Sequence, residues 1–556
     1  MTEPAGAESL VFVPLGGAGE IGMNLNLYGY GEAGCRRWLM IDLGIGFARG
    51  ELPGTDVLMP DPTFIEERRD RLDGLLLTHA HEDHLGAVAY LWPRLRCPVF
   101  ATRFTLAVLR RKLAEQPFAG EVPLVEVPSG GRVAVGPFAL ELVSLTHSIP
   151  DANGVIVRTA AGTLLHTGDW KFDPEPVVGP TSDLEALRRL GDEGVLAMIC
   201  DSTNVFEPTA SGAEGALRQP LTDLIGRCGG LVLVTCFATN VARLKTMAHV
   251  AATAGRDVVL VGASLRRVAA AAGECGYFDD VRPFLDESAL ADLPRERTLV
   301  ICTGSQGEPR AALARIAGGG YPRCRLAAGD TVVFSSRVIP GNEAAIGRLH
   351  NALVRLGVKV VTRREGFVHV SGHPSRDELA RMYALVRPRI VVPVHGELRH
   401  LREHADLALA CGIPEAKVVE NGDLLHLAPG PATVDGSVAV GRLSKEGYDL
   451  VPVDGDLVRE RQRAIYNGVA VITVVLNGRR HAIDSPQLST IGLAEDDDPR
   501  VRDRVGQEVS RAIDEMPERI YGDDDAVREV VRLAVRRAFG DLVGKKPLTR
   551  VHLVRI

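Results

Sequence analysis

The sequence predicts an α/β protein in which one α/β domain is inserted into another and a small α+β domain follows. Three observations lead there. At 556 residues the chain is too long for one ordinary core. Its rhythm of strand and helix signals changes more than once along the chain. Histidine-bearing loops occur before and after the middle segment, so the flanking parts read as two pieces of one domain.

Residues 1–210 read as short apolar strands broken by glycine and proline turns: "LVFVPLGG", "RWLMIDLG", "DGLLLTH", "FALELVSLTH", "GTLLHTGD" and "VLAMICDS". One stretch there, Phe104 to Gln116, has helical spacing. Over residues 211–357 buried-type strands such as "GGLVLVTCF", "RDVVLVG", "RTLVICTG" and "DTVVFSS" each precede a helical pattern. That alternation predicts a doubly wound parallel sheet. Residues 358–440 return to histidine-bearing loops, "FVHVSGHPSRDEL" and "IVVPVHGELRHLREHA", and complete the first domain. From 441 to 556 a charged composition, a helical "DAVREVVRLAVRRAFG" and a strand-like "TRVHLVRI" mark a C-terminal domain. No internal repeat interrupts this layout.

Hydrophobic and charged fractions of 46% and 24% are those of a globular protein in water. The opening "MTEPAGAESL" lacks a basic segment and an apolar core, so no signal peptide is expected. No apolar run reaches bilayer length, and no membrane association is expected. Nine cysteines without a C-x-x-C pair predict reduced thiols and a cytoplasmic protein. A net charge of -7 excludes a generally basic surface, so any nucleic acid must be attracted locally or through bound metal.

"GAGEIG" (Gly17, Gly19, Gly22) has the glycine spacing of a dinucleotide-binding turn, but "MNLNLYGYGEAG" after it alternates like a strand. Without the helix, a tight turn is the better reading. "HAHEDH" is different. His79, His81, Asp83 and His84 crowd three imidazoles and an acid behind a run of leucines, and these are typical ligands of zinc and related ions. His147, Asp169 and His395 each follow an apolar run and so reach loops at a sheet edge. A dinuclear centre needs a bridging acid and imidazoles for each ion, and Asp169 has the chemistry of the bridge.

The ordered motifs "GGAGEIGMN", "THAHEDHLGA", "HSIPD", "HTGDWKFD", "DSTN", "CFATNVAR", "TGSQGEP", "FSSRVIPGNE", "HVSGH" and "PVHGE" resemble the ribonuclease J family, in the beta-CASP group of the metallo-β-lactamase superfamily. The resemblance implies a metallo-β-lactamase αββα sandwich carrying an inserted beta-CASP domain. It implies two divalent ions, Zn2+ expected and Mn2+ or Mg2+ as alternatives. His79, His81, His147 and Asp169 would hold one ion, and Asp83, His84, Asp169 and His395 the other. Asp42 would orient ligands. Asp201 and His373, with Asp83, would be catalytic, His373 near the scissile phosphate. His369, Ser371, Gly372, Ala238 and Asn240 would hold a 5′-phosphate, although Thr239 and Val241–Arg243 depart from the family pattern.

The activity implied is that of a metal-dependent ribonuclease in RNA decay and maturation, including rRNA processing and mRNA decay. It would be a processive 5′-to-3′ exonuclease on single-stranded RNA, preferring a 5′-monophosphate and also cutting internally. A homodimer or dimer of dimers, paired through the C-terminal segment, and an RNA-decay assembly would fit.

Three rivals remain. A small-molecule hydrolase of the superfamily would not need the second wall that the insertion provides. A DNA-directed beta-CASP nuclease is the closer rival and the harder one to exclude. A non-catalytic RNA-binding scaffold would show a lost ligand, whereas all seven ligand positions hold competent residues.

Overall fold

The computed structural model describes residues 8–48, 52–477, 485–494 and 498–556. It divides into two compact units, Met1–Phe47 with Val57–Gly441, and Ala48–Asp56 with Arg442–Ile556. The second unit thus takes in a short segment that the sequence assigns to the first domain. The reason is polar: Thr55 Oγ1 lies 3.1 Å from Ser444 Oγ and donates to Glu446 at 3.2 Å, contacts that no hydrophobic pattern announces.

The first unit is the αββα sandwich. One sheet runs, in spatial order, Thr433–Ser437, Asp423–Ala428, Ser9–Gly16, Leu25–Gly31, Arg37–Ile41, Leu72–Leu76, Val99–Ala101 and Leu124–Glu126. The other runs Arg132–Val135, Phe138–Ser144, Asn153–Thr159, Gly162–His166, Ala197–Asp201, Ile390–Val394 and Glu415–Ala416. Their inner faces interlock in one core, in which Leu10, Phe12, Tyr28 and Ile41 meet Phe138, Val155, Ile199 and Val392. The outer face of the second sheet, with Ile156, Leu165 and Met198, is covered by helices Leu184–Glu193, Arg376–Val386 and Leu398–Ala410.

Strand direction places the chemistry. Arg37–Ile41 and Leu72–Leu76 are parallel, so Asp42 and His79 leave the same edge of the first sheet. Gly162–His166, Ala197–Asp201 and Ile390–Val394 are mutually parallel, so Asp169, Asp201 and His395 leave one edge of the second. Carboxyl ends of parallel strands are where open α/β sheets bind ligands.

Inserted between these strands is a five-stranded parallel sheet, ordered Asp257–Val261, Thr298–Cys302, Val232–Thr235, Thr331–Phe334 and Lys359–Val361. Apolar clusters on both faces make it doubly wound. Its edge strand Lys359–Val361 lies past the boundary at 357 expected from the sequence, because "KVV" is short and offers no helix after it.

A buried ion pair ties this domain to the segment that enters it. Arg243, fully buried, donates from Nε to Glu214 Oε1 at 2.8 Å and from Nη2 to Oε2 at 3.0 Å. Nη1 donates to the Ser335 carbonyl at 2.8 Å and the Val368 carbonyl at 3.3 Å.

In the second unit, strands Gln487–Ile491, Val469–Leu476 and Leu548–Arg555 form a sheet. Helices Pro499–Asp514 and Asp524–Val543 bury one of its faces, on Ile472, Val474 and Leu476. All nine cysteines are free thiols. Among the described residues no helix is long and apolar enough to cross a membrane.

Arg243→Met should remove about 3–5 kcal/mol, because it leaves Glu214 charged and uncompensated in the interior. Calorimetry should show an earlier unfolding transition, and adding Glu214→Gln should recover part of the loss. Unchanged unfolding of the single variant would mean that the pair holds nothing together.

Candidate metal centre

The loop that opens the site is held open by its neighbours' backbone. Residues 82–85 form one helical turn, three of whose carbonyls accept from neighbouring backbone: Ile45 N–H donates to Glu82 O (2.9 Å), Asn24 N–H to Asp83 O (3.0 Å) and Leu43 N–H to His84 O (2.7 Å). Gly44 makes this approach possible, since a Cβ there would fall 1.7 Å from Asp83 O. Thus "GEIGMN" and "DLGIG" are the mould for "HEDH". Gly17, Gly19 and Gly22 all have positive φ in that mould, and the strand Leu25–Gly31 follows them, not a helix.

Two donor sets share Asp169. His79, His81, His147 and Asp169 offer ligand atoms that all lie within 4.8 Å of one another, as do Asp83, His84, Asp169 and His395. In the first set His81 Nδ1 is 3.0 Å from both His79 Nε2 and His147 Nε2, and Asp169 Oδ2 is 3.9 Å from each of the latter two. Ligands at the corners of a zinc tetrahedron stand about 3.3 Å apart. In the second set His84 Nε2 is 3.2 Å from Asp169 Oδ2, and His395 Nε2 is 3.1 Å from Asp83 Oδ2.

The opposite ring nitrogens are tied down, which fixes which nitrogen faces the centre. His84 Nδ1 donates to Asp42 Oδ2 at 2.7 Å, and Asp42 also accepts from Thr78 N–H at 2.8 Å. His147 Nδ1 donates to the Gly372 carbonyl at 2.6 Å. His395 Nδ1 donates to Thr203 Oγ1 at 2.8 Å, and that hydroxyl donates to Asp201 Oδ1 at 2.7 Å. Asp42 and His395 both have left-handed backbone, φ 65° and 54°, a strain of about 1–3 kcal/mol each that the surrounding bonds must hold.

Electrostatics divide the histidines. Burial, then neighbouring imidazoles, pushes His79 and His147 well below the usual value, and burial brings His81 to about 4 against the opposing charges of Asp83 and Asp169. Burial acts the same way on His84 and His395, but Asp169 and the other carboxylates overcome it and raise both. Asp169 is 2% exposed and its Oδ1 has no hydrogen-bond partner. A buried carboxylate with one oxygen unpartnered and the other ringed by imidazole nitrogens of His79, His84 and His147 fits divalent cations.

A third group, Asp169, Asp201, His373 and His395, also converges within 4.8 Å. Here His373 Nδ1 donates to Asp201 Oδ2 at 2.8 Å, which turns Nε2 outward. Burial would lower the His373 pKa, but Asp201 and then Asp169 raise it above the ordinary value.

The residues expected at a 5′-phosphate are less uniform. Ser371 Oγ accepts from Asn204 Nδ2 (2.7 Å) and His373 N–H (3.2 Å), so its own proton is uncommitted. Asn240 caps helix Val241–Thr253 by accepting from Arg243 N–H at 2.8 Å, leaving only its amide nitrogen. Ala238 packs against the inserted core. His369 Nδ1 faces Arg243 Nη1 at 3.4 Å.

Thr78, Thr203, Asn24 and Asn204 were not singled out from the sequence. Their motifs "LLLTH", "DSTN" and "GMN" carried the signal, but one hydroxyl or amide in a turn looks the same whether it props a ligand or caps a loop. His166, buried and 2.8 Å from Tyr28 Oη, stays outside both donor sets.

Known proteins match along the whole chain. Residues 37–185 match the Beta-lactamase superfamily domain, 229–353 the Ribonuclease J beta-CASP domain, 357–414 the Zn-dependent metallo-hydrolase RNA specificity domain, and 456–556 the Ribonuclease J C-terminal domain. The chain is 44% identical to a ribonuclease J of Sinorhizobium meliloti, over 99% of this chain and 98% of that one. It is 37% identical to that of Mycolicibacterium smegmatis (100% and 98%) and 34% to that of Thermus thermophilus (97% and 90%). A crystal structure of an Enterococcus faecalis protein of unknown function shares the fold at TM-score 0.51 and 16% identity, covering 76% of this chain and all of that one.

Gly44→Ala should push the turn at residues 82–85 out of place and empty the donor set of Asp83 and His84. Elemental analysis should then find fewer ions than the about two per chain expected of the native protein, and Asp169→Asn should lose more. Full metal content in Gly44→Ala would show that the mould is not needed.

Proposed function

Because the chain belongs to the ribonuclease J family, and is therefore a metal-dependent ribonuclease, we propose that it digests single-stranded RNA processively from a 5′-monophosphate end. The observation that carries this reading is the single stretch from His369 to His373. It places an uncommitted hydroxyl on Ser371, a carbonyl on Gly372 that fixes His147, and the outward-turned Nε2 of His373 within five residues. A 5′-phosphate gripped at Ser371 and His369 would set the first linkage beside the metal ligands.

His79, His81, His147 and Asp169 would hold one ion, and Asp83, His84, Asp169 and His395 the other. When bound, such a pair makes hydroxide available at neutral pH and offsets the charge growing on the phosphoryl group. Zn2+ suits the histidine-rich donors best, with Mn2+ and Mg2+ the alternatives. Asp42 and Thr203 hold His84 and His395 in the tautomers that this requires. His373, whose pKa Asp201 raises, delivers a proton to the departing 3′ oxygen. Hydrolysis leaves a 5′-phosphate on the shortened RNA, so each product end is the next substrate end. Internal cutting uses the same groups on a strand threaded past the 5′-end residues.

The same proposal makes residues 1–210 and 358–440 the catalytic domain, 211–357 the second wall of an RNA cleft, and 441–556 the element that pairs subunits into a dimer or dimer of dimers. It also sets the protein in the cytoplasm, within RNA-decay machinery.

RNA of one sequence, carrying a 5′-monophosphate or a 5′-triphosphate, tests the polarity. Rapid mononucleotide release from the first, slow release from the second and none with Asp83→Ala is expected. Equal internal cutting of both RNAs would overturn the 5′-end reading.

His373→Ala should lower kcat by about 10²–10⁴ while leaving KM nearly unchanged, as for loss of a general acid. The raised His373 pKa means the proton is present below that value and lost above it. Asp201→Asn should therefore move the alkaline limb of the rate profile to lower pH. A limb that does not move would remove His373 from the proton-transfer role.

A further inference from the structure

The helix Leu398–Ala410 carries His404, a side chain that no step derived above uses. It is fully buried, and burial brings its pKa down to about 4 against the pull of Asp201. The ring is therefore uncharged at neutral pH. Its Nδ1 lies 2.8 Å from Ser202 Oγ, and its Nε2 has no hydrogen-bond partner among the described residues. Whichever of the pair donates, one ring nitrogen is left unpaired. A leucine in the same place would bury no such unpaired group. What the histidine contributes is therefore its bond to Ser202.

Ser202 sits at a junction. In the strand Ala197–Asp201, Ala197 and Ile199 face the core between the sheets, and Met198 and Cys200 face the covering helices. Asp201 continues the first set toward the metal ligands, and Ser202 continues the second toward His404. On the site side, Asp201 Oδ2 accepts from His373 Nδ1. Thr203 Oγ1 accepts from His395 Nδ1 and donates to Asp201 Oδ1. Asp201 and Thr203 are the chain neighbours of Ser202. Ser202 N–H donates to the Val394 carbonyl at 3.0 Å, and Thr203 N–H to Asp201 Oδ1 at 2.9 Å. These bonds shape the turn, and the Ser202 hydroxyl ties it to the helix. Gly396, directly after His395, is pressed against the same place. A Cβ there would fall 3.1 Å from Ser202 Cβ and 2.8 Å from His400 Cβ.

We propose that His404 is a positioning residue for the metal centre. By holding Ser202 from the helix side it sets Asp201 and Thr203, and through them the ring orientations of His373 and His395. Groups that orient a ligating histidine govern about 10–100-fold in metal affinity or activity. His404 acts one bond further out, so the lower end of that range is expected. The arm through His373 rests on the proton transfer proposed above, whereas the arm through His395 rests on the donor sets alone.

The test titrates Zn2+ against a chelator in the full-length protein and follows hydrolysis of 5′-monophosphate RNA with Zn2+ saturating. Ser202→Ala and His404→Leu should each weaken the more loosely held ion about tenfold and lower kcat about tenfold, with KM within about twofold of native. His404→Asn, whose amide stands where Nδ1 stood, should restore both. His404→Gln, whose amide stands in place of Nε2, should not. The double variant Ser202→Ala/His404→Leu should lose no more than either single one, because both remove the same bond. Should His404→Leu unfold early in a thermal scan, Ser202→Ala, which trims one hydroxyl, decides alone. Zn2+ affinity and kcat both within about twofold of native in Ser202→Ala would overturn the proposal. Equal losses in His404→Asn and His404→Leu would overturn it too, since packing alone would then explain them. Weaker Zn2+ binding with native kcat would keep the positioning role and remove His373 from the leaving-group step.

Discussion

Asp169 is the constraint to which the catalytic unit is fitted. A carboxylate 2% exposed, with one oxygen lacking any hydrogen bond, sits among His79, His84, His147, His373 and His395. No water-excluded core assembles such a set for its own stability, because each buried group loses hydration and three of the rings meet nitrogen to nitrogen. The sheets carry that burden. Their parallel strands bring the chain repeatedly to one edge, and the core between them keeps the donors at that edge in place.

The inserted domain is bound into this arrangement by a chain of buried polar contacts. Lys171, two residues from Asp169, pairs with Asp173 at 2.9 Å. Asp173 in turn accepts from Glu214 N–H at 2.9 Å, and Glu214 holds Arg243. Arg243 grips the carbonyls of Ser335 and Val368, at the inserted sheet and just before His369. Charged groups this deep contribute little net stability compared with apolar packing, but removing one partner is severe. The geometry of residues 369–373 is thus set from both domains at once.

Much of this was legible in the sequence, for physical reasons. Histidines and acids directly after apolar runs have to lie at strand ends, and seven of them at ordered intervals left few other readings. Doubly wound topology was visible because strands and helices differ in period. What escaped detection was what periodicity cannot encode. Lys359–Val361 is too short to be told from a loop, the segment at 48–56 joins its partners through hydroxyl and carboxylate contacts, and the mould of Gly44, Asn24 and Leu43 acts through backbone carbonyls. Asn240 shows the converse: a motif residue suited to gripping phosphate has its side-chain oxygen engaged in capping a helix.

The Gly372 carbonyl, which fixes the tautomer of His147, ties together traits that selection might otherwise tune separately. A Cβ at Gly372 would fall 2.7 Å from the His147 ring, so the position is closed to larger residues. Its two neighbours, Ser371 and His373, are the residues proposed to meet the substrate end and the leaving group. On the proposed reading, any drift in this backbone would alter cation affinity, proton delivery and end preference together. Changes of specificity in such a lineage should therefore accumulate on the walls around the stretch, where residues such as Thr239, Ala242 and Arg363 can vary without disturbing the hinge on which three functions turn.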